Sequence, residues 1–294
     1  MTALRTPDDR FIDLPGYNFE PHYVDIGGLR MHYVDEGPTD ADPVLLLHGE
    51  PSWSYLYRKM IAPLAAAGHR VIAPDLIGFG RSDKLPEQDD YTYAGHVAWM
   101  QQFVETLDLR DITFFGQDWG SLIGLRVAAE NESRFARIAI GNGALPTGDH
   151  GMNEAFLQWR EFARTSPKFD IGRVLQNATV SELSDEVVAA YDAPFPGPDH
   201  KAGVRTFPSL VPTDPQMDGV AVSRRAMQWW REEFDGLSFM AIGIMDPVLG
   251  APVMERVHAA IRGCPEPMRV EDAGHFVQEW GEPVARAALA TWAG

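Results

Sequence analysis

Cysteine is nearly missing from this sequence. Cys264 is the only one, which excludes an internal disulfide framework, fits a reducing compartment and is expected to be a buried structural thiol. Basic charge is also scarce. Lys and Arg number 25 against 42 Asp and Glu, a net charge of −17 with His neutral, so nucleic-acid backbones and anionic membrane surfaces are poor partners. No apolar run approaches the length needed to cross a bilayer. Met1 to Asp13 is charged and lacks the apolar segment of a signal peptide, so a cytoplasmic location is expected. There is no clustered Cys/His ligand set, hence no metal is expected, and no internal repeat or low-complexity tract.

What is present suits a well-buried globular enzyme. Hydrophobic residues make up 45% and aromatic residues 11% of the chain. Its 294 residues suffice for one large α/β domain or for a core that carries a smaller insert.

Taken in order, residues 1–20 read as an irregular leader containing Pro7, Pro15 and Gly16. Tyr23–Ile26 and Leu29–Val34 flank Gly27-Gly28 as a β-hairpin. The unbroken apolar run Val44–Leu47 predicts a strand covered on both faces, ending in a tight turn at His48-Gly49-Glu50-Pro51. A backbone N–H left free in such a turn can face a developing oxyanion, although taken alone the turn reads better as an ordinary loop stiffened by Pro51. Val71–Asp75 is another strand, and Gly78–Asp83 a glycine-rich loop that lacks the spacing of a phosphate cradle, so it reads as structural. Apolar residues at Val97, Met100, Val104 and Leu107 step by three and four, which predicts a helix over 94–109.

Further strands are expected at Ile112–Phe115, Ile138–Gly143, Phe239–Met245 and Met268–Glu271, with helices near Val253–Ile261 and Pro283–Trp292. This alternation implies a mostly parallel, doubly wound sheet. From about Leu145 to Thr213 the texture changes. Strand-like runs vanish, and Pro146, Pro167, Pro194, Pro196, Pro198, Pro208 and Pro212 break helical pieces. The expected division is a core of 1–145 and 214–294 with a helical cap of 146–213 inserted. Within the cap, Phe156, Trp159, Phe162 and Ala163 share a helix face.

The strand Ile112–Phe115 runs into Gly116-Gln117-Asp118-Trp119-Gly120 and then into a helical stripe of Leu122, Leu125 and Ala129. Strand, glycine-flanked turn and helix are the layout of a nucleophile elbow, here with Asp in place of the usual Ser. A carboxylate is ionised near neutral pH without help from a base and can attack an sp3 carbon that bears a leaving group, forming an ester. The bland alternative is that Asp118 merely caps the helix. Asp246 and His275 each follow a predicted strand, where open α/β sheets place their sites. Nucleophile, acid, histidine is the chain order of the α/β-hydrolase triad. Singly, Asp246 could cap a helix and His275 could be an ordinary turn histidine; together they make a constellation.

At these residues the sequence closely resembles the haloalkane dehalogenases, in the branch whose catalytic acid follows the penultimate core strand. The likeness spans nearly the whole chain. It is carried by His48–Arg58, Gly116–Gly120, Met240–Gly243 through Asp246, and Asp272–Glu279, and is weak in the cap. It implies an α/β-hydrolase fold and hydrolysis of carbon–halogen bonds, with a small halogenated hydrocarbon, water and halide ion as the partners and no metal or organic cofactor. It further implies that Asp118 is the nucleophile, His275 the general base and Asp246 its acid partner. Trp119 matches the first halide-binding Trp, and Trp159 is the best match for the second, with Trp229 and Trp230 as fallbacks. An indole N–H is a donor with no acceptor to repel an anion. The backbone N–H groups of Glu50 and Trp119 match the oxyanion hole, with no catalytic step given to the Glu50 carboxylate. Another branch of the family has Asn as a halide donor and a Glu acid where this chain has Glu50 and Asn142, which favours Asp246 and a cap Trp here.

Epoxide hydrolases share the fold and the Asp nucleophile but need two cap tyrosines, and Tyr191 is the obvious one in the predicted cap. Fluoroacetate dehalogenases carry Arg after the Asp, where this chain has Trp119. A catalytically silent α/β-hydrolase-fold binding protein would be expected to have a broken triad. The number of subunits is left open, a monomer being compatible.

Overall fold

In the computed structural model, residues 3–293 are described. The hairpin forms as expected, β1 His22–Ile26 pairing antiparallel with β2 Leu29–Glu36. Then come β3 Pro43–Leu47, α1 Arg58–Ala66, β4 Arg70–Pro74, α2 Tyr93–Thr106, β5 Ile112–Asp118, α3 Trp119–Glu130 and β6 Phe135–Gly143. Five helices separate β6 from the next strand: α4 Glu154–Thr165, α5 Ile171–Ala178, α6 Asp185–Asp192, α7 Ala202–Leu210 and α8 Val220–Glu232. The chain closes with β7 Leu237–Gly243, α9 Ala251–Ala260, β8 Met268–Val270 and α10 Gly281–Trp292.

The eight strands form one sheet in the order β1-β2-β4-β3-β5-β6-β7-β8, antiparallel through β1 and β2 and parallel from β4 onward. Every residue of β3 is buried, as a strand roofed on both faces requires. α1 packs on α10, while α2, α3, α8 and α9 make a second contiguous set. Local chemistry starts several helices. Thr92 accepts from the Gly95 N–H to open α2, and Asn153 accepts from the Phe156 N–H to open α4.

Three expectations need correction. The leader is not merely irregular. Asp8–Phe11 forms a 3-10 turn, the Thr6 hydroxyl donates to the Pro194 carbonyl and Arg10 donates to that of Ala193, so the leader bridges to the segment between β6 and β7. Pro208 lies inside α7 instead of breaking it. It costs α7 one rung, the N–H that would reach the Val204 carbonyl, and the helix ends two residues later. Cys264 is only half-buried, because it sits in the turn between α9 and β8 rather than in an element facing the core.

Candidate active site

The elbow is built by backbone crowding. Asp118 ends β5 with φ 47° and ψ −125°, a conformation that costs a non-glycine residue energy and turns its side chain out of the sheet. Its neighbours must be small for the turn to close: a Cβ on Gly120 would overlap the Leu47 carbonyl. The Ser121 hydroxyl ties the turn by donating to the Asp118 carbonyl at 2.6 Å, while it accepts from the Ala144 N–H at 2.9 Å. Although Asp118 occupies the N-cap position of α3, its side chain makes no capping hydrogen bond. The bland reading of Asp118 as a helix cap is therefore set aside.

The Asp118 carboxylate faces other groups. Its Oδ1 accepts from the Glu50 backbone N–H at 2.8 Å, and its Oδ2 lies 3.8 Å from His275 Nε2. His275 Nδ1 in turn meets Asp246 Oδ2 at 2.8 Å. Asp246 is held from two further directions, by the Val248 N–H at 2.8 Å and the Asn142 side-chain amide at 2.9 Å. Asn142 also accepts from the Gly243 N–H at 2.7 Å, so it fastens the ends of β6 and β7 together. The Gln117 amide donates to the His275 carbonyl at 3.2 Å and the His275 N–H donates to Ala178 of α5, which locks the histidine loop between the elbow and α5.

Electrostatics follow from this packing. Burial pushes the Asp118 carboxyl up, against the pull of His275 and of the Trp119 and Glu50 N–H groups. Burial alone would lower His275, but Asp246, followed by Asp118, outweighs it and lifts the imidazole to about 9. Asp246 is held below its ordinary value, because the His275 charge and the hydrogen bonds it receives outweigh its burial. Both carboxyl groups thus draw the proton toward the imidazole between them.

A cavity of about 1110 Å3 opens over these groups, with Glu50, Asp118, Trp119, Trp159, Asp246 and His275 in its wall. Leu122, Leu145, Phe156, Val174 and Val211 supply apolar lining. Trp119 is 2% exposed. The indoles of Trp53, Trp159, Trp229 and Trp230 all donate to protein acceptors, and among the described residues that of Trp119 does not. Trp159, from α4, donates to Glu50 Oε2 at 3.1 Å, a pairing that no sequence pattern signalled. Trp229 is committed to Glu132 and Trp230 to the Leu125 carbonyl, and neither lines the cavity, so the fallback candidates drop out. Phe162, expected to share a helix face with Trp159, is 40% exposed and lies with it at the cavity wall.

Tyr191 is buried and points elsewhere. Its hydroxyl donates to Glu279 Oε1 at 2.6 Å, inside an ion pair of Glu279 with Arg58, and it does not line the cavity. The tyrosine on which an epoxide-opening site would depend is therefore occupied in holding α6 to the core. Among the described residues, no group of three or more metal-ligating side chains comes together, and no helix is long and apolar enough to cross a membrane.

Comparison with known proteins shows the family. Residues 42–282 match the family described as alpha/beta hydrolase fold. A haloalkane dehalogenase of Psychrobacter cryohalolentis is 51% identical over 298 residues, covering 97% of this chain and 96% of the relative. Haloalkane dehalogenase 1 of Mycobacterium tuberculosis is 51% identical over 288 residues, covering 95% and 94% respectively. The solved structure of the tetrameric haloalkane dehalogenase DpaA from Paraglaciecola agarilytica superposes with a TM-score of 0.95 at 44% identity, covering 99% of each chain. The chain belongs to the haloalkane dehalogenases of the α/β-hydrolase superfamily, hydrolases that convert a halogenated alkane and water into alcohol and halide.

Proposed function

We propose that Asp118 carries the reaction as a nucleophile, with His275 and Asp246 serving the second half. The observation behind this is the single line of contacts from the Glu50 N–H through both Asp118 oxygens to His275 and on to Asp246. In the first step Asp118 Oδ attacks the halogen-bearing carbon. The carbon–halogen bond breaks, its electron pair leaves with the halide, and an alkyl ester forms. The Trp119 N–H, and that of Trp159 once it parts from Glu50, receive the halide in a site shielded from bulk water.

Ester formation removes the Asp118 charge, and with it one of the two attractions that keep His275 protonated. The imidazole gives its proton to solvent and becomes a base. It then takes a proton from water as the water oxygen attacks the ester carbonyl carbon. The former Oδ1, already seated on the Glu50 N–H and joined by the Trp119 N–H, carries the developing negative charge. Collapse expels the alkoxide, which takes the imidazolium proton to leave as alcohol; the carboxylic acid left on Asp118 returns its proton to the imidazole, so that one halide and one proton are released per turnover. Asp246 never leaves the carboxylate form; it keeps the imidazole oriented and stabilises its cation.

Residues 146–213 act in this scheme as the cap that roofs the cavity and supplies Trp159. All the proposed reacting groups come from one chain, so a monomer is sufficient for the chemistry. Light scattering at assay concentration separates that from an assembly such as the DpaA tetramer. A cytoplasmic location is part of the proposal, supported by the single cysteine, and is checked by fractionation.

The test is bromide release from a short terminal bromoalkane. The wild-type chain should turn over steadily, Asp118→Ala should release none, and His275→Phe should release one bromide per chain and gain the mass of the alkyl group. Undiminished release by Asp118→Ala would overturn the assignment of the nucleophile.

A further inference from the structure

The Glu50 side chain has no part in the steps above, yet it is placed where an acid matters. It is 3% exposed, and its backbone N–H is on the nucleophile. Its Oε2 takes the Trp159 indole N–H at 3.1 Å, while its Oε1 is buried with no partner among the described residues. A buried carboxylate with one satisfied oxygen is costly, and a second anion beside it costs more. Burial, reinforced by the Asp118 charge and opposed only by the Trp159 N–H, pushes this carboxyl well above its ordinary value.

The other groups around it do not neutralise that charge. From β5 comes Asp118, and His275 with Asp246 lies on the opposite Asp118 oxygen. His48, two residues earlier, is kept neutral by burial and accepts from the Leu76 N–H. From α4 only the uncharged Trp159 indole reaches Glu50. Glu161 and Arg164 pair with each other on the exposed side of that helix, and Arg160 lies over the Phe156 ring.

Halide needs the same N–H that Glu50 holds. We propose that the Glu50 carboxyl is a proton-controlled competitor for the Trp159 indole, releasing the N–H to halide when it carries a proton and excluding halide when it does not. This rests on Trp119 and Trp159 being the halide donors. As a carboxylate, Glu50 keeps the Trp159 hydrogen bond, and a halide arriving beside it would face two anions. As a neutral acid it gives up a weaker hydrogen bond and no repulsion remains from its side. Halide binding therefore takes up a proton at Glu50, and halide release returns that proton to solvent. Glu50 acts through Trp159 and is a positioning residue for the leaving group.

The experiment is bromide titration by quenching of tryptophan fluorescence across the neutral and mildly alkaline range. For a single linked proton, bromide affinity should fall about tenfold per pH unit above the Glu50 titration. Glu50→Gln should flatten that dependence and keep its affinity at alkaline pH. His275 also titrates at about 9, so the series is repeated in His275→Asn, where the Glu50-dependent slope should persist. A second measurement needs no substitution at Glu50: at alkaline pH, where bromide affinity is falling with pH, the infrared difference spectrum of wild-type protein on adding bromide should gain the carbonyl stretch of a protonated carboxyl group. An unchanged slope in Glu50→Gln, loss of the slope in His275→Asn, or no such stretch would overturn the proposal while leaving the halide site intact. Absence of bromide binding by the wild-type chain at every pH would overturn the halide site itself, and the competition with it.

Discussion

In the proposed reaction, alkylation of Asp118 erases a charge that His275 feels at close range. Nε2 stands 3.8 Å from Asp118 Oδ2. At an effective dielectric constant of about 20, a unit charge at that distance is worth roughly 4 kcal/mol, or about a thousandfold in proton affinity. With both carboxylates present the imidazole titrates at about 9, burial being outweighed first by Asp246 and then by Asp118. Losing the Asp118 contribution brings the imidazole into the neutral range, where it serves as a base. Asp118→Asn imitates the ester by keeping the shape of the side chain and removing its charge. The titration of His275, followed by NMR of its ring protons with His275→Asn used for assignment, should fall from about 9 toward neutrality. A mass spectrum establishes that the amide has not hydrolysed back to Asp. A change in proton affinity of less than about tenfold would mean that Asp118 does not hold the proton on His275. The switch of His275 from cation to base on ester formation would then have to be abandoned.

Three further outcomes come from the packing. Gly120→Ala forces a Cβ into the Leu47 carbonyl and should cost about 3 kcal/mol of stability or more, read from denaturant unfolding. Asn142→Leu removes the amide that holds Asp246 and the acceptor of the Gly243 N–H, so it should cost roughly 1–3 kcal/mol per group left unsatisfied. In the proposed reaction its ester hydrolysis should slow more than its ester formation, as rapid-quench assays can separate. Burial would raise the Glu279 carboxyl, but Arg58 and then Lys59 hold it below its ordinary value of 4.5. The stability it contributes is therefore complete above that value and is lost as pH falls through the lower folded-state value. Glu279→Gln should be less stable by about 3–5 kcal/mol at neutral pH. Its melting temperature should also change less than that of the wild-type chain between neutral and acid pH.

Much of this architecture is legible in the chain because it rests on short-range rules. Unbroken apolar runs such as Val44–Leu47 mark strands covered on both faces, and that is how β3 lies. The elbow can be read because its steric demands are local: Gly116 and Gly120 flank Asp118 within one turn. The order Asp118, Asp246, His275 is readable because each comes just after a strand, and parallel strands in one sheet deliver the loops at their carboxyl ends to a common edge.

Contacts across long sequence separations obey no such local rule. Glu50 and Trp159 lie 109 positions apart, and nothing in either neighbourhood says that the indole donates to that carboxyl. Tyr191 looked like a free acid of the cap, yet 88 residues further on Glu279 captures its hydroxyl. Three tryptophans compete in the sequence for the proposed second halide donor, and packing tells them apart: α4 leans over the cavity and presents Trp159, while α8 turns Trp230 onto the Leu125 carbonyl of α3 and Trp229 onto Glu132. By itself, then, the sequence determined the sheet, the elbow and the order of Asp118, Asp246 and His275 along it, through backbone sterics and the burial of apolar runs. Which side chain each buried polar group meets was decided only by the tertiary structure. A buried donor or acceptor must find a partner in space, and the chain that brings the two together closes loops roughly a hundred residues long.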